Sequence, residues 1–485
     1  MSAWTNLAIL LGYFGLLIVV SWLVGRKSDS TSFYTGNRKS PWFLVAFGMI
    51  GASISGVTFI SIPGWVANTH FGYMQTVLGY MVGYMVIALV LLPLYYKMNL
   101  TSIYTYLEKR YGFWGYKTGA AYFIVSRIIG SAFRLYLAAE VLYLAIFEPL
   151  HIPYWLAVAI TIALVFTYTS KSGIKSVVYT DTLQTFFLIS AVVLTIIFIS
   201  NQLGYSFSGL IESIKTDPNS QIFHWDAKSS NNFFKQFIGG AFIALAMTGL
   251  DQDMMQKNLS INNIKSAQKN IYVQMFMFIV VNIVFLTLGL LLYQYAAHIK
   301  LEALAKTDDL FPTIALKNAT PFISTAFIIG LVAAAYSSAD SALTALTTSF
   351  CVDFLGFERN KPTNLKVRQK VHIGFAVVLF LVIIGFSYWN NDAVIKQLFT
   401  IAGYTYGPLV GLFFFGILTN KKVDDAGILP ITLLSIAYTA AYSYVMPKWF
   451  DGFKPGFELI LVNGLITFVL LALISKEQKK NEIRR

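Results

Sequence analysis

The chain has 485 residues, of which 56% are hydrophobic, 16% aromatic and only 12% charged, with a formal net charge of +13. Soluble domains carry about 25% charged residues, so this composition cannot cover a water-facing surface of its size and instead supplies many membrane spans. The single Cys351 excludes an internal disulfide or a thiolate cluster, and the five histidines (His70, His151, His224, His298, His372) lie too far apart in sequence for ligand spacing.

A membrane helix needs about 20 mostly apolar residues. Thirteen segments qualify: 5–25, 42–68, 71–96, 119–147, 153–170, 179–201, 232–250, 268–298, 322–350, 369–389, 396–419, 428–446 and 457–475. The first has no basic residues ahead of it and no small-residue cleavage site behind it, so it reads as a retained helix and not as a signal peptide. An all-α, polytopic membrane protein forming one transmembrane domain over 1–485 is expected.

The loops carry an orientation signal. With the N-terminus outside, 25 of the 36 Lys and Arg fall in or beside the cytoplasmic loops and the tail, 8 fall in the external loops, and Arg127, Arg134 and Lys235 lie within spans. Basic residues favour the cytoplasmic side, which predicts N-out, C-in. The same distribution accounts for the +13: these charges face anionic lipid headgroups, and no nucleic-acid partner is required.

The long loop 202–231 separates two five-span blocks, 42–201 and 232–419. An odd number of spans per block turns the second block over, the arrangement of an inverted repeat. The first span of each block is interrupted by small and polar residues: Gly48, Gly51, Ala52, Ser53, Ile54, Ser55, Gly56, Val57 and Thr58 in one, and Gly239, Gly240, then Thr248 through Asp253 in the other. Irregular backbone at membrane depth persists only where it lines a cavity or is buried in protein. Small residues at a close helix contact explain one such segment; two at corresponding positions favour a binding site.

In the ninth span, Ala334, Ser337, Ser338 and Ser341 form one helical stripe with Asp340 on its flank. Hydroxyls and a carboxylate on one face offer hard oxygen ligands to a small cation. Hydroxyls that bond back to their own helix account for the serines but not for Asp340, whose insertion costs roughly 2.5–3.5 kcal/mol if unpaired. Asp181, at the cytoplasmic start of 179–201, can meet Asp340 there, and two adjacent carboxylates call for a cation between them or a proton on one. The alternative use of Asp181 is a helix-start carboxylate favoured by the dipole.

Taken together, these stretches resemble the sodium:solute symporter family, which includes sugar, sialic-acid, proline and monocarboxylate transporters. The resemblance runs through Ser32–Arg38, Ile54–Phe59, Thr101–Glu108, Gly173–Asp181 with Gln184, Asp251–Lys257, Tyr336–Ser341, Gly407–Pro408 and Gly416–Ile417. It implies a leucine-transporter-like core of five plus five inverted helices, with one helix before (5–25) and two after (428–475). It also implies a principal sodium site of the backbone oxygens of Gly51, Ile54 and Ala334 with the hydroxyls of Ser337 and Ser338. Some members hold a second sodium ion, at positions matching Asp181, Ser337, Asp340 and Ser341; Asp340 departs from the serine of the sialic-acid pattern. Sodium as the coupling ion, two per solute, follows from the resemblance.

For the solute, the family pattern points to Ser53, Ser55 and Thr58 on the interrupted span, with Asp251 at the second interruption. Val77 stands where sugar and sialic-acid members place Glu or Gln, and Gln75 is the nearest substitute. Arg134 lies at midplane depth, suited to bidentate capture of a carboxylate; an ion pair with Glu140, Asp251 or Asp253 is its competing use. The expected activity is sodium-coupled import of a small polar solute, such as a sugar or sugar acid, across a bacterial inner membrane. A proton-coupled or uncoupled carrier, or a non-transporting sensor or channel, is the alternative. No nucleophile–base arrangement, phosphate loop or metal pair marks an enzyme, and no obligate protein partner is evident.

Overall fold

The computed structural model describes residues 2–25, 30–169, 173–357, 361–388, 394–450 and 453–477. Parts of the charged loops used above to orient the chain (26–29, 170–172, 358–360, 389–393, 451–452 and the tail 478–485) lie outside the described residues.

All thirteen apolar segments contain helix. After α1 (Ala3–Gly25), the second segment is two pieces, α2 (Trp42–Ser53) and α3 (Gly56–Thr69). Then come α4 (Tyr73–Val86, prolonged to Lys97), α5 (Phe113–Leu142), α6 (Tyr154–Thr169) and α7 (Ile174–Gln202). The seventh segment, α8 (Phe233–Ala244, prolonged to Gly249), is followed at a 62° bend by α9 (Gln252–Leu259). The remainder are α10 (Ile264–His298), α11 (Pro321–Ser349), α12 (Leu365–Ser387), α13 (Val394–Leu418), α14 (Ile428–Trp449) and α15 (Leu459–Ile474). Among the described residues, nine helical runs are long and apolar enough to cross a membrane, ten if α8 and α9 count as one crossing. Helices α2, α6 and α15 are apolar but shorter, α2 because a break cuts it.

Helix α11 is the axis of the molecule: every residue from Gly330 to Ser349 is buried. It lies along α7, close enough at Gly330 that a Cβ there would stand 2.4 Å from that of Ala191. Helix α2 closes on α7 through Gly48 and Gly51; a Cβ at Gly51 would fall 2.0 Å from Thr185 Oγ1. Asp181 is thereby held beside α2. It sits two turns inside α7, not at a helix start, because the polar residues from Ile174 onward are already helical.

Gly239 and Gly240 are not part of a break. They lie inside continuous α8, where a Cβ on Gly240 would meet Thr76 O at 2.2 Å and one on Gly239 would meet the Phe457 carbonyl carbon at 2.7 Å. Small residues here let backbones touch, the packing use of glycine in membranes. Helices α4 and α8 share this contact: a Cβ on Gly79 would meet Phe237 O at 2.0 Å, and Thr76 donates a hydrogen bond to the Gln236 side chain.

Overpacking a tight contact costs about 1–3 kcal/mol. Gly240→Val should therefore lower the melting temperature of the detergent-purified protein, whereas Gly374→Ala, with nothing within 4 Å of the added carbon, should leave it unchanged.

Candidate functional site

The break between α2 and α3 is an abrupt end to helical bonding. Ile54 N–H still reaches Ile50 O at 2.8 Å, but Ile54 (φ −85°, ψ 81°) and Ser55 (φ −76°, ψ 177°) leave the helical region. Bonding resumes with Phe59 N–H to Ser55 O at 3.0 Å. The carbonyls from Gly51 to Ile54 thus lose the partners a continuous helix would give them. The break rests on α5 and α11: a Cβ on Gly56 would lie 3.2 Å from Arg134 O and 3.5 Å from Ala335 Cβ. On α11, Ser338 Oγ donates to Ala335 O (2.9 Å) and Ser337 Oγ donates to Asp181 Oδ1 (2.8 Å). Each hydroxyl spends its proton within the protein and keeps its lone pairs, the requirement for a cation ligand. Gly51, Ile54, Ala334, Ser337 and Ser338 are all buried where α2 and α3 meet α11.

Beside the break lies a cavity of about 60 Å³, lined by Ser53, Ser55 and Thr58 from the break and by Tyr73, Tyr80 and Tyr84 from α4. Arg134 and Thr248 complete its polar wall, with Met247, Phe278, Leu398 and Phe399 among the apolar residues. A water molecule needs about 10–15 Å³ on this measure, so the space holds about four and must widen to admit a sugar-sized solute. Arg134 is 7% exposed, and among the described residues its Nε and Nη1 are buried without a hydrogen-bond partner. Among the described residues no carboxylate lies within 4.0 Å of its guanidinium. The ion pair considered from sequence belongs to a different residue: Arg127, two turns earlier on α5, pairs with Asp253 and stands 3.8 Å from Asp251.

Two other candidate residues are drawn away from the cavity. Gln75 is fully buried, but its amide donates to Gly72 O and Asn231 O and accepts from His224 N–H, fastening the start of α4 to the loop before α8. Asp251 caps α9, accepting from the N–H groups of Asp253 (2.9 Å) and Met254 (3.3 Å), and receives the Tyr406 hydroxyl at 2.5 Å. It is a structural pivot, for the bend it caps frees the carbonyls of Gly249 and Leu250, which accept from the hydroxyls of Tyr95 and Tyr104 at 2.9 Å each.

Asp181, Ser337, Asp340 and Ser341 are brought together, and a fifth residue joins them. Lys257, on α9 and 1% exposed, places Nζ 2.8 Å from Asp181 Oδ2, 2.8 Å from Ser341 Oγ and 3.9 Å from Asp253 Oδ1. Ser341 Oγ donates to Ser337 O at 2.7 Å and stands 3.3 Å from Asp340 Oδ1, and Asp340 Oδ2 is buried without a partner. A continuous polar chain therefore runs Arg127–Asp253–Lys257–Asp181–Ser337, joining α5, α9, α7 and α11. All eight residues of α9 are buried although their sequence, QDMMQKNL, is polar; Gln252 binds Thr101 O and Ile103 N–H, and Gln256 binds Tyr34 O.

Removing one partner of a buried ion pair costs about 3–5 kcal/mol because the other charge is stranded. Arg127→Met should lower the melting temperature markedly, and Arg127→Met/Asp253→Met should recover much of the loss. A single substitution without effect on melting would show that the pair does not hold α9.

Comparison with known proteins places the sequence and the fold. The chain is 25% identical over 88% of its length to the sodium/sialic acid symporter NanT of Aliivibrio fischeri, covering 85% of that protein. It is 24% identical over 90% of its length to the sodium-coupled monocarboxylate transporter 2 of Danio rerio, covering 72% of that one. Its backbone follows a solved substrate-bound, outward-open Na+-coupled sialic acid symporter with a TM-score of 0.82 at 20% identity, over 98% of this chain and 99% of the other. The architecture is accordingly leucine-transporter-like. The model of the sodium:solute symporter family matches residues 33–433, and the chain belongs to that family.

Proposed function

We propose that the protein carries a small carboxylate-bearing solute across a bacterial inner membrane together with sodium, N-terminus outside and C-terminus inside. The observation that carries the substrate class is Arg134. A permanent cation buried at the helix break, facing a cavity and lacking a carboxylate partner among the described residues, is matched by a negative charge on the ligand. Ser53, Ser55 and Thr58 supply hydroxyls for the rest of the solute, and the tyrosines of α4 offer a polar-edged aromatic wall. The names of the relatives point the same way, since sialic acids and monocarboxylates both bear a carboxylate. Sodium is held by the carbonyls of Gly51, Ile54 and Ala334 with Ser337 and Ser338. The blocks 42–201 and 232–419 act as the two inverted halves that alternate around this site. The orientation rests on the excess of basic residues in one set of loops.

Losing one partner of a buried, hydrogen-bonded charge pair costs about 2–5 kcal/mol, or roughly 30-fold or more in affinity. In proteoliposome uptake with sialic acid, lactate and galactose as probes, Arg134→Met should weaken carboxylate transport to that degree, and Arg134→Lys, which keeps the charge but loses the planar fork, should weaken it less. Uptake of galactose, unaltered in a well-folded Arg134→Lys protein, would remove the carboxylate reading.

A hydrogen bond or ligand contact to a charge is worth about 1.5–3 kcal/mol, about tenfold or more in binding. Ser338→Ala, measured in the same assay, should therefore raise the sodium concentration for half-maximal uptake about tenfold. An unchanged sodium dependence would sink that assignment.

A further inference from the structure

The four residues that the family resemblance assigns to a second sodium ion are assembled in this protein, but the space between them contains a charge of the protein's own. Lys257 Nζ contacts Asp181 and Ser341 at 2.8 Å each, with Asp253 at 3.9 Å. Asp181 divides its oxygens, giving Oδ2 to the ammonium and Oδ1 to the Ser337 hydroxyl. Ser341 Oγ accepts from the ammonium and donates to Ser337 O. Two of the four residues, Asp181 and Ser341, are thus committed to Lys257, and Ser337 spends its proton on Asp181, while Asp340 keeps Oδ2 without a partner among the described residues.

Three features fix the ammonium there. Its helix, α9, is buried along its whole length. Its backbone is capped at one end by Asp251, while at the other Ser260 Oγ donates to Lys257 O at 2.7 Å. Asp253, one turn before it, is held by Arg127, so the strongest remaining carboxylate within reach of Nζ is Asp181.

We infer that Lys257 is a tethered cation that takes the place of the second sodium ion, so that the transporter binds a single sodium, at the helix break. A lysine ammonium and a sodium ion carry the same charge and seek the same oxygens. Placed within one ligand set of each other they repel in a medium that screens poorly. The tethered charge is always present at its site, whereas an ion must be captured from solution on each cycle. The coupling ratio is therefore one sodium per solute, and the pull between Asp181 on α7 and Lys257 on α9 supplies the tie that a second ion would supply.

The inference rests on sodium coupling, and a count of bound ions separates the two. Equilibrium binding of 22Na+ to the purified full chain should give one ion per chain with a Hill coefficient of one. Ser338→Ala should weaken that one ion, and Asp181→Asn should leave the count at one. Lys257→Gln should open the vacated position, raising the count to two. Because that variant strands Asp181, its folding is checked by size exclusion; if it does not fold, the parent and Asp181→Asn counts decide. Two ions in the parent, or loss of an ion in Asp181→Asn, would overturn the inference while leaving sodium coupling intact. No bound sodium in the parent would overturn both.

Discussion

A peptide group or a charge buried away from water has to be matched by something inside the protein. The molecule is organised around one place where that requirement is deliberately left open. Between Ser53 and Gly56 the chain abandons its helical bonds, and the carbonyls of α2 end at a surface shared with α11 and α5. Helix α11 is buried over twenty consecutive residues and carries small side chains on the facing stripe, so the broken chain comes close enough that a Cβ on Gly56 would be in van der Waals contact with Ala335. The oxygen-rich pocket that results suits a small cation, and the adjoining cavity with Arg134 suits an anion. The proposed cation and anion sites would then lie on two sides of the same interrupted segment, where each bound charge would favour the other.

The second interruption works differently. At Leu250 and Asp251 the chain bends by 62°, but its loose groups are nearly all satisfied by protein: tyrosine hydroxyls on the carbonyls, Asp251 on the amides, Gln252 on the loop before α5. Arg127 and Lys257 divide the carboxylates of the region between them, Arg127 on Asp251 and Asp253, Lys257 on Asp181. This is why Arg134, on the same helix as Arg127, remains unmatched. One interruption is tied by internal charge; the other borders a cavity.

The helical architecture was legible from hydropathy alone, because lipid forces long apolar segments and leaves little alternative to helix. The break at 54–55 was legible too, from Gly51 through Gly56. Gly239 and Gly240 look the same in sequence and are something else, a backbone contact with α4, which composition cannot tell from a break without the neighbouring helix. The polar run from Asp251 to Lys257 reads as loop because its residues are hydrophilic, which places Lys257 among the basic loop residues although it is 1% exposed. Setting it aside leaves the excess of basic residues in those loops large. The signal that could have placed it is local: Asp253 and Lys257 stand four apart on one helix face, a spacing that supports ion pairing and an amphipathic helix. Gln75 shows the opposite error. As the nearest polar neighbour of Val77 it reads as a cavity residue, but it faces the loop before α8 and not the cavity.

In coupled symport an ion gradient does work on a charged solute, and one measurement addresses that directly. Purified protein in potassium-loaded vesicles is given radiolabelled sialic acid or lactate, with sodium or potassium outside. Coupled symport predicts accumulation above the external concentration only with sodium, and collapse of that accumulation when an ionophore dissipates the sodium gradient. Equal uptake in potassium, or uptake that stops at equilibrium with the outside, would contradict it.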